Sequence, residues 1–381
     1  DISSATSSTY TLVEADVGKY IRVAVSYTDD YSTAETVNSA INSNAVGNVN
    51  DAATISGADT GSVTEDDSTA STGTPTVTDP DSGENTLTDV SAGTDSVSGY
   101  GTYGVSSGTW TYTLDSTDSA VQALAASATM TDTFAVTSAD GGTSMTVTIT
   151  ITGVNDAATF GGDTTGGATE DTSDASGTAT VADTDTGQAT FTAVSSATDS
   201  VSGYGTYTIT SGGVWAYTLD DSDSAVQALA ASATMSDTFA VTSSDGTSQT
   251  ITITITGVND AATIAGDTTG GATEDTSDAS GTATVADADT GQATFTAVSS
   301  ATDSVSGYGQ YTITTGGVWA YTLTDSNSAV QALAASATMT DTFAVTSSDG
   351  TSQTITITIT GVNDAATFGG DTTGGATEDT S

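Results

Sequence analysis

Apolar and polar positions alternate with a period of two along much of the chain. The cleanest run is Gln249 to Thr256, where Ile251, Ile253 and Ile255 are separated by Thr. Such alternation predicts a strand with one face on a core and the other in water. Thr238 to Thr242 places Phe239 and Val241 on one side. Tyr204, Tyr207, Ile209, Trp215, Tyr217 and Leu219 predict two further strands about the turn at Ser211, Gly212 and Gly213. Shorter strands are expected around Val181, after Gly177, and around Phe191 and Val194. Ser224 to Ala231 breaks the period and predicts one or two helical turns crossing between sheets. Seven or so short strands separated by Gly, Asp and Ser turns predict an all-β protein of two-sheet, Greek-key sandwiches.

The pattern recurs. Asn155 to Gly257 is repeated from Asn259 to Gly361 with eight substitutions, and the marker Val-Asn-Asp stands at Val49, Val154, Val258 and Val362. A period that long carries a whole small domain, so the expected organisation is an extended linear array. The expected sandwich repeats are residues 49–153, 154–257 and 258–361, with a further repeat opening at 362–381. Residues 1–48 differ in sequence and read as the C-terminal part of another strand-rich domain, so the chain reads as a fragment of something longer. The first repeat departs from its neighbours by Pro75, Pro80 and one extra residue between Glu65 and Asp79. Its loop at Asp79 and Asp81 is expected to differ in geometry or affinity.

Charge changes this picture. The 381 residues carry 48 acidic groups against two basic ones, Lys19 and Arg22, for a formal net charge of -46. From Asp51 onward there is no Lys, Arg or His. These carboxylates have no cationic partner in the chain, and their repulsion opposes compaction. A hard divalent cation with oxygen ligands is the natural neutraliser, and calcium is the expected ion. A plainer account, acidity as an adaptation to high salt or for solubility, stays open beside it. The charge argues against nucleic acid or an anionic membrane as partner. No apolar run is long enough for membrane insertion in this segment. With no Cys, disulfides and thiolate chemistry are excluded.

The carboxylates gather in recurring clusters. The junctions supply Asn50 and Asp51, Asn155 and Asp156, Asn259 and Asp260, and Asn363 and Asp364. Early in each repeat come Glu65 and Asp66, Glu170 and Asp171, and Glu274 and Asp275. Then follow the Asp-x-Asp loops Asp79 and Asp81, Asp183 and Asp185, and Asp287 and Asp289, each closed by Gly two residues on. Alternate side chains of such a loop can face one ion while the Gly takes the bend. Asp132, Asp237 and Asp341 precede the Phe strand; Asp140, Asp245 and Asp349 precede the last strand. In a sandwich the Asp-x-Asp loop and Asp245 return to the junction end, while Glu170, Asp171 and Asp237 lie at the far end, against the next junction. The alternative for any of these residues is local hydrogen bonding in turns, favoured for the scattered Asp220, Asp221 and Asp223.

Paired carboxylates can hydrolyse glycosides without His or Cys, but these pairs recur in every repeat, whereas a catalytic site is built once in a shaped pocket. The chain is read as no enzyme. Thr250 to Thr256 suggests an ice-binding ladder, yet each domain supplies one such strand, and Thr on the wet face is ordinary strand chemistry.

Gly257-Val-Asn-Asp-Ala-Ala262, Thr273-Glu-Asp275, Val285-Ala-Asp-Ala-Asp289 and Thr342 to Gly350 resemble the VCBS-type, bacterial Ig-like or cadherin-like repeats of giant RTX adhesins. The extender repeats of a large Marinomonas ice-binding adhesin are especially similar. The resemblance covers residues 49–381. It implies calcium-rigidified β-sandwiches, type I secretion and a place at the bacterial cell surface, with the adhesive target bound by other domains of the parent protein. It puts calcium on the junction Asn-Asp, the Thr-Glu-Asp element and the Asp-x-Asp loop. The expected function is a spacer that projects adhesive domains for attachment or biofilm formation. Two rivals remain: repeated weak glycan or protein binding, and a self-associating surface layer.

Overall fold

The computed structural model describes residue 5, residues 7–371 and residues 373–375. It divides into two compact units: Asp1–Thr159 with Val181–Thr190 and Ser243–Thr247, and Phe160–Thr180 with Phe191–Thr242 and Ser248–Ser381. The third repeat lies wholly within the second unit. Its strands are β1 (Thr263–Gly266), β2 (Thr269–Thr273), β3 (Ala279–Ala286), β4 (Val298–Asp303), β5 (Gly309–Ile313), β6 (Val318–Leu323), β7 (Thr338–Thr346) and β8 (Ser352–Thr360). They form a five-stranded sheet ordered β1-β3-β6-β5-β4 and a three-stranded sheet ordered β2-β8-β7. β2 runs parallel to β8, whereas the pairs of β7 with β8 and β5 with β6 are antiparallel. The chain thus switches sheet between β1 and β2 and again between β2 and β3, which makes a sandwich of the two sheets.

The alternation along β8 does what its period predicts. Ile355, Ile357 and Ile359 are fully buried, and the Thr residues between them face outward or are half-buried. Across from them in register stand Phe343, Asp341 and Met339 of β7. Phe343 organises the middle of the core, stacking on Tyr311 at a centroid distance of 4.3 Å and meeting Trp319 edge-on at 5.7 Å. The Trp319 indole is wholly buried and donates Nε1–H to the Asp267 carbonyl at 2.8 Å. Gly281 lies against that ring: a Cβ there would sit 2.5 Å from Trp319 Cζ2. The small residues of the sequence therefore make room for the few large ones.

The second repeat has the same strand order along the chain, with Trp215 and Phe239 in the corresponding edge-on pair at 5.8 Å. The first repeat, in the other unit, differs where Pro75 stands. Ala179 and Ala283, at the matching position, donate backbone N–H groups to Gly213 and Gly317. Proline has no N–H to give, and the strand is split into Ser71–Gly73 and Thr76–Thr78, in separate sheets. The helical turns expected at Ser224 to Ala231 are not helix there: the segment is made of turns in the second and third repeats, and a four-residue α-helix, Ser119–Gln122, capped by Asp118, stands at the matching place of the first repeat. Residues 24–38 form a hairpin of Ala24–Thr28 and Ala34–Asn38, exposed along both strands and preceded by a 3-10 turn at Glu14–Asp16. The opening of a further repeat expected at 362–381 lies partly outside the described residues. No helix among those described is long and apolar enough to cross a membrane.

Gly281→Ala is expected to destabilise the third repeat by about 1–3 kcal/mol, as overpacking of a tight core does. The check is a denaturant titration followed by Trp fluorescence, in which an unchanged midpoint would count against the close approach to Trp319.

Candidate metal centre

Each Asp-x-Asp loop satisfies half of its carboxylate oxygens and leaves the other half buried. In the second repeat Asp183 Oδ1 accepts the Asp185 N–H at 2.9 Å. Asp185 Oδ2 accepts the Asp156 N–H at 3.1 Å and the Gln188 Nε2–H at 3.1 Å. Asp183 Oδ2 and Asp185 Oδ1 are out of solvent without a hydrogen-bond partner. The third repeat has the same bonds, from Asp289 N to Asp287 at 2.9 Å, from Asp260 N to Asp289 at 3.2 Å and from Gln292 Nε2 to Asp289 at 2.9 Å. There too Asp287 Oδ2 and Asp289 Oδ1 are the orphans, and in the first repeat they are Asp79 Oδ2 and Asp81 Oδ1. Buried acceptors without donors are rare because each costs its full desolvation energy. A hard cation with oxygen ligands is the partner whose chemistry they fit.

The early glutamate reaches the same junction. Glu65 is 2% exposed, and its Oε2 accepts the Val154 N–H at 2.9 Å, while Gln122 Nε2 donates to Oε1 at 3.1 Å. Glu170 accepts from Val258 N at 3.0 Å and from Gln227 at 3.1 Å; Glu274 accepts from Val362 N at 3.0 Å, with Oε1 buried and unpartnered. The glutamate of one repeat thus holds the first N–H of a junction, and the Asp-x-Asp loop of the next holds the N–H two residues on. A main-chain bond adds to this clamp: Thr186 N donates to the Ala123 carbonyl at 3.1 Å, and Thr290 N to Ala228 at 3.1 Å.

The other expected residues take different places. Asp245 Oδ2 accepts from Ala158 N at 3.1 Å and approaches Asn155 Nδ2 at 3.5 Å, so it stands at the junction; Asp349 accepts from Ala262 N at 3.0 Å, and Asp140 accepts from Asn50 Nδ2 at 3.3 Å. Asn155, Asn259 and Asn363 each turn Nδ2 onto the carbonyl of the following Asp. Asp66, Asp171 and Asp275 are exposed, at positive φ of 61°, 57° and 55°. The first two accept from the Gln beside the glutamate, Gln122 at 3.0 Å and Gln227 at 3.3 Å, and Asp275 accepts from Gln331 at 3.4 Å.

Asp132, Asp237 and Asp341 are placed inside their own repeats, away from the next junction. Asp341 accepts the Ser304 hydroxyl, the Tyr321 hydroxyl at 2.8 Å, and the N–H groups of Ser306, Tyr308 and Thr342 at 3.0, 3.2 and 2.8 Å. Both oxygens are engaged by donors, so a cation has no lone pair to take there. Met339, Asp341, Phe343 and Val345 alternate on the inward side of β7, and that period was the available signal. Asp237 accepts from the matching Ser200 and Tyr217 hydroxyls and from the N–H groups of Ser202 and Thr238.

Two carboxylates escaped the sequence reading. Glu14, in the divergent segment, comes with Asp51 and Asp81 to where one oxygen from each lies within 4.8 Å of the others. Asp79, Asp81 and Glu84 form a second such group. Glu84 was legible by comparison, since Gln188 and Gln292 occupy its position; Glu14 had no repeat against which to be read.

Burial first, then the charges of Asp66, Asp156 and Asp185, pushes Glu65 above the usual carboxylate range against the opposing Val154 N–H. Burial and the neighbouring Asp156, Asp183 and Asp245 charges likewise raise Asp185, and Glu170 and Asp289 follow suit. Burial also pushes Asp237 and Asp341 upward, but their hydrogen bonds outweigh it and leave both below the usual range. The two sets act oppositely on stability. A raised carboxylate disfavours the folded state once ionised, so without divalent ions stability increases as pH falls from 7 toward about 4–5, the upper edge of ordinary carboxylate titration. Below that, protons compete for Asp132, Asp237 and Asp341, and stability is lost. Thermal unfolding in chelator across this range checks both limbs; a monotonic loss from pH 7 downward would contradict the first.

Asp341→Asn puts donors where five donors already point and is expected to lower stability by about 1–3 kcal/mol. Calcium affinity should be unchanged, measured by calorimetry on the same variant.

The bacterial cadherin-like domain family matches residues 50–153, 155–257 and 259–361. No curated protein matches the chain. Among solved structures, the chain is similar to the extracellular cadherin domains 1–5 of protocadherin gamma B2, at 13% identity and a TM-score of 0.46 over 91% of this chain and 73% of that one. The extracellular domain of protocadherin gammaB4 is 14% identical with a TM-score of 0.44 over 89% of this chain, which spans 59% of its length. N-cadherin domains EC1-4 from Drosophila give 14% identity and 0.35 over 90% and 83%. At these scores the likenesses add no weight, and the assignment stands on the domain match. Covering three consecutive segments and most of the sequence, that match makes the chain a member of the bacterial cadherin-like domain family.

Proposed function

We propose that this chain is a calcium-stiffened spacer of a secreted bacterial surface adhesin, and that calcium at the repeat junctions holds successive domains in fixed register. The observation that carries it is the recurrence of the same two buried, unpartnered Asp oxygens in three repeats, each pair beside a junction N–H. At the second junction Asp183, Asp185 and Glu65 would hold the ion; at the third, Asp287, Asp289, Asp260 and Glu170, the first three with orphaned oxygens that support the assignment. The ion would neutralise carboxylates that have no Lys, Arg or His to meet after Arg22.

The energetics suit an extracellular switch. An ion with a dissociation constant on the order of 10⁻⁴ M stabilises the folded form by about 1.4 kcal/mol per site at millimolar calcium, and by almost nothing at intracellular levels. A chain of such repeats stays loose during export and stiffens outside. With strands rising about 3.3 Å per residue, a domain whose long strands have nine residues spans on the order of 30–40 Å. Many copies project a binding domain far from the cell. The repeats resemble the extender repeats of giant RTX adhesins, whose setting is type I secretion and biofilm attachment.

Small-angle scattering of the intact chain during calcium titration tests the proposal. Maximum dimension and rigidity are expected to rise between chelator and millimolar calcium, while an unchanged profile would sink the junction reading. Asp185→Asn, which removes an orphaned oxygen from one junction, is expected to weaken calcium binding there by at least about tenfold, since even outer partners of a metal carry that much. Isothermal calorimetry reads the loss as one missing class of sites.

A further inference from the structure

The Asp-x-Asp loop of the first repeat is not equivalent to the other two. All three make the same turn: Gly83, Gly187 and Gly291 have φ of 94°, 83° and 83°, and the N–H three residues after the first-named loop's Asp81, or after Asp185 or Asp289, returns to that residue's carbonyl at 3.3, 3.2 and 3.2 Å. The side chain at that returning position differs. Gln188 and Gln292 spend their amide N–H on Asp185 Oδ2 and Asp289 Oδ2. Glu84 has no proton to give and is itself an acceptor, with Oε2 buried and unpartnered.

Three orphaned oxygens consequently meet in this loop, Asp79 Oδ2, Asp81 Oδ1 and Glu84 Oε2, where the other loops have two. Ligand atoms of the three residues lie within 4.8 Å of one another. Asp81 is 2% exposed, so its free oxygen cannot be satisfied by bulk water. Pro80 stands between the two Asp residues, where the other repeats have Thr184 and Ala288. Its fixed φ lowers the entropy of the open loop and so favours the ligand-ready form.

We propose that Asp79, Asp81 and Glu84 form a divalent-cation site peculiar to the first repeat, which loads at lower cation concentration than any site of the second and third repeats. It rests on the junction reading only for the comparison with those repeats, since the three-carboxylate group is complete within residues 79–84. The junction ahead of the first repeat would set before the others as calcium rises. Calcium is favoured over magnesium because carboxylates on a short loop supply a flexible, oxygen-rich shell and not a strict octahedron.

The test is isothermal calorimetry of the full chain with calcium chloride, comparing wild type with Glu84→Gln and with the reciprocal pair Gln188→Glu and Gln292→Glu. Wild type is expected to show a tight class of one ion, separated from the remainder by about tenfold, in keeping with the dependence of affinity on ligand charge. Glu84→Gln should remove that class and the reciprocal pair should add two ions to it, with circular dichroism unchanged. If Glu84→Gln leaves the isotherm as it was, this site is refuted while the junction reading stands. Should the tight ion persist but Asp185→Asn and Asp289→Asn alter nothing, the junction reading falls and the Glu84 site survives.

Discussion

Unpaired negative charge in the wrong place governs this protein. An acidic surface is tolerable in water, where solvent and counterions screen it. Here, however, carboxylates are drawn out of water at the junctions with one oxygen bonded to backbone and the other facing nothing, as Asp185 and Asp289 show. No cationic side chain follows Arg22, so the fold cannot compensate from within. The sandwiches themselves close without help, for their apolar centres are complete. The junctions keep Asp oxygens that are buried and without a donor, and a hard cation is the partner whose chemistry they fit.

The same residue type meets two opposite fates within one repeat. Asp341 is as buried as Asp289, yet it receives five donors from Ser304, Ser306, Tyr308, Tyr321 and Thr342 and is held ionised below its ordinary range. Asp289 receives two donors on one oxygen only, and burial with neighbouring charges raises it. The first is a polar pin within a sandwich, completed by the protein. The second keeps one buried oxygen with no donor. Donor count, more than burial or charge, separates the structural acid from the candidate ligand.

Small differences between near-identical repeats have local consequences. Pro75 removes one N–H and the strand it belongs to breaks in two. Glu84 replaces an amide and a loop with two free oxygens has three. Because each repeat closes its own core, such changes are absorbed where they occur, and junctions of different character can coexist on one scaffold.

The sequence alone determined the strands, the repeat and the charge imbalance: alternating Ile and Thr along 251–256 can bury only one face, and after Arg22 the carboxylates have no cationic side chain to meet. It also put the Asp-x-Asp loops, the early glutamates and the junction Asn-Asp pairs together as candidates. Tertiary structure decided which oxygens remain free. Asp237 and Asp185 read alike along the chain, and only the donors brought from distant strands, Ser200 and Tyr217 for the first and the junction N–H of Asp156 for the second, tell them apart. Glu14 joined the site by folding too, since a ligand set is a matter of distance in space and the residue lies in a segment with no repeat to compare. Periodicity is local and survives in one dimension; the satisfaction of a buried charge is set by every element packed around it, and so is fixed only when the chain has folded.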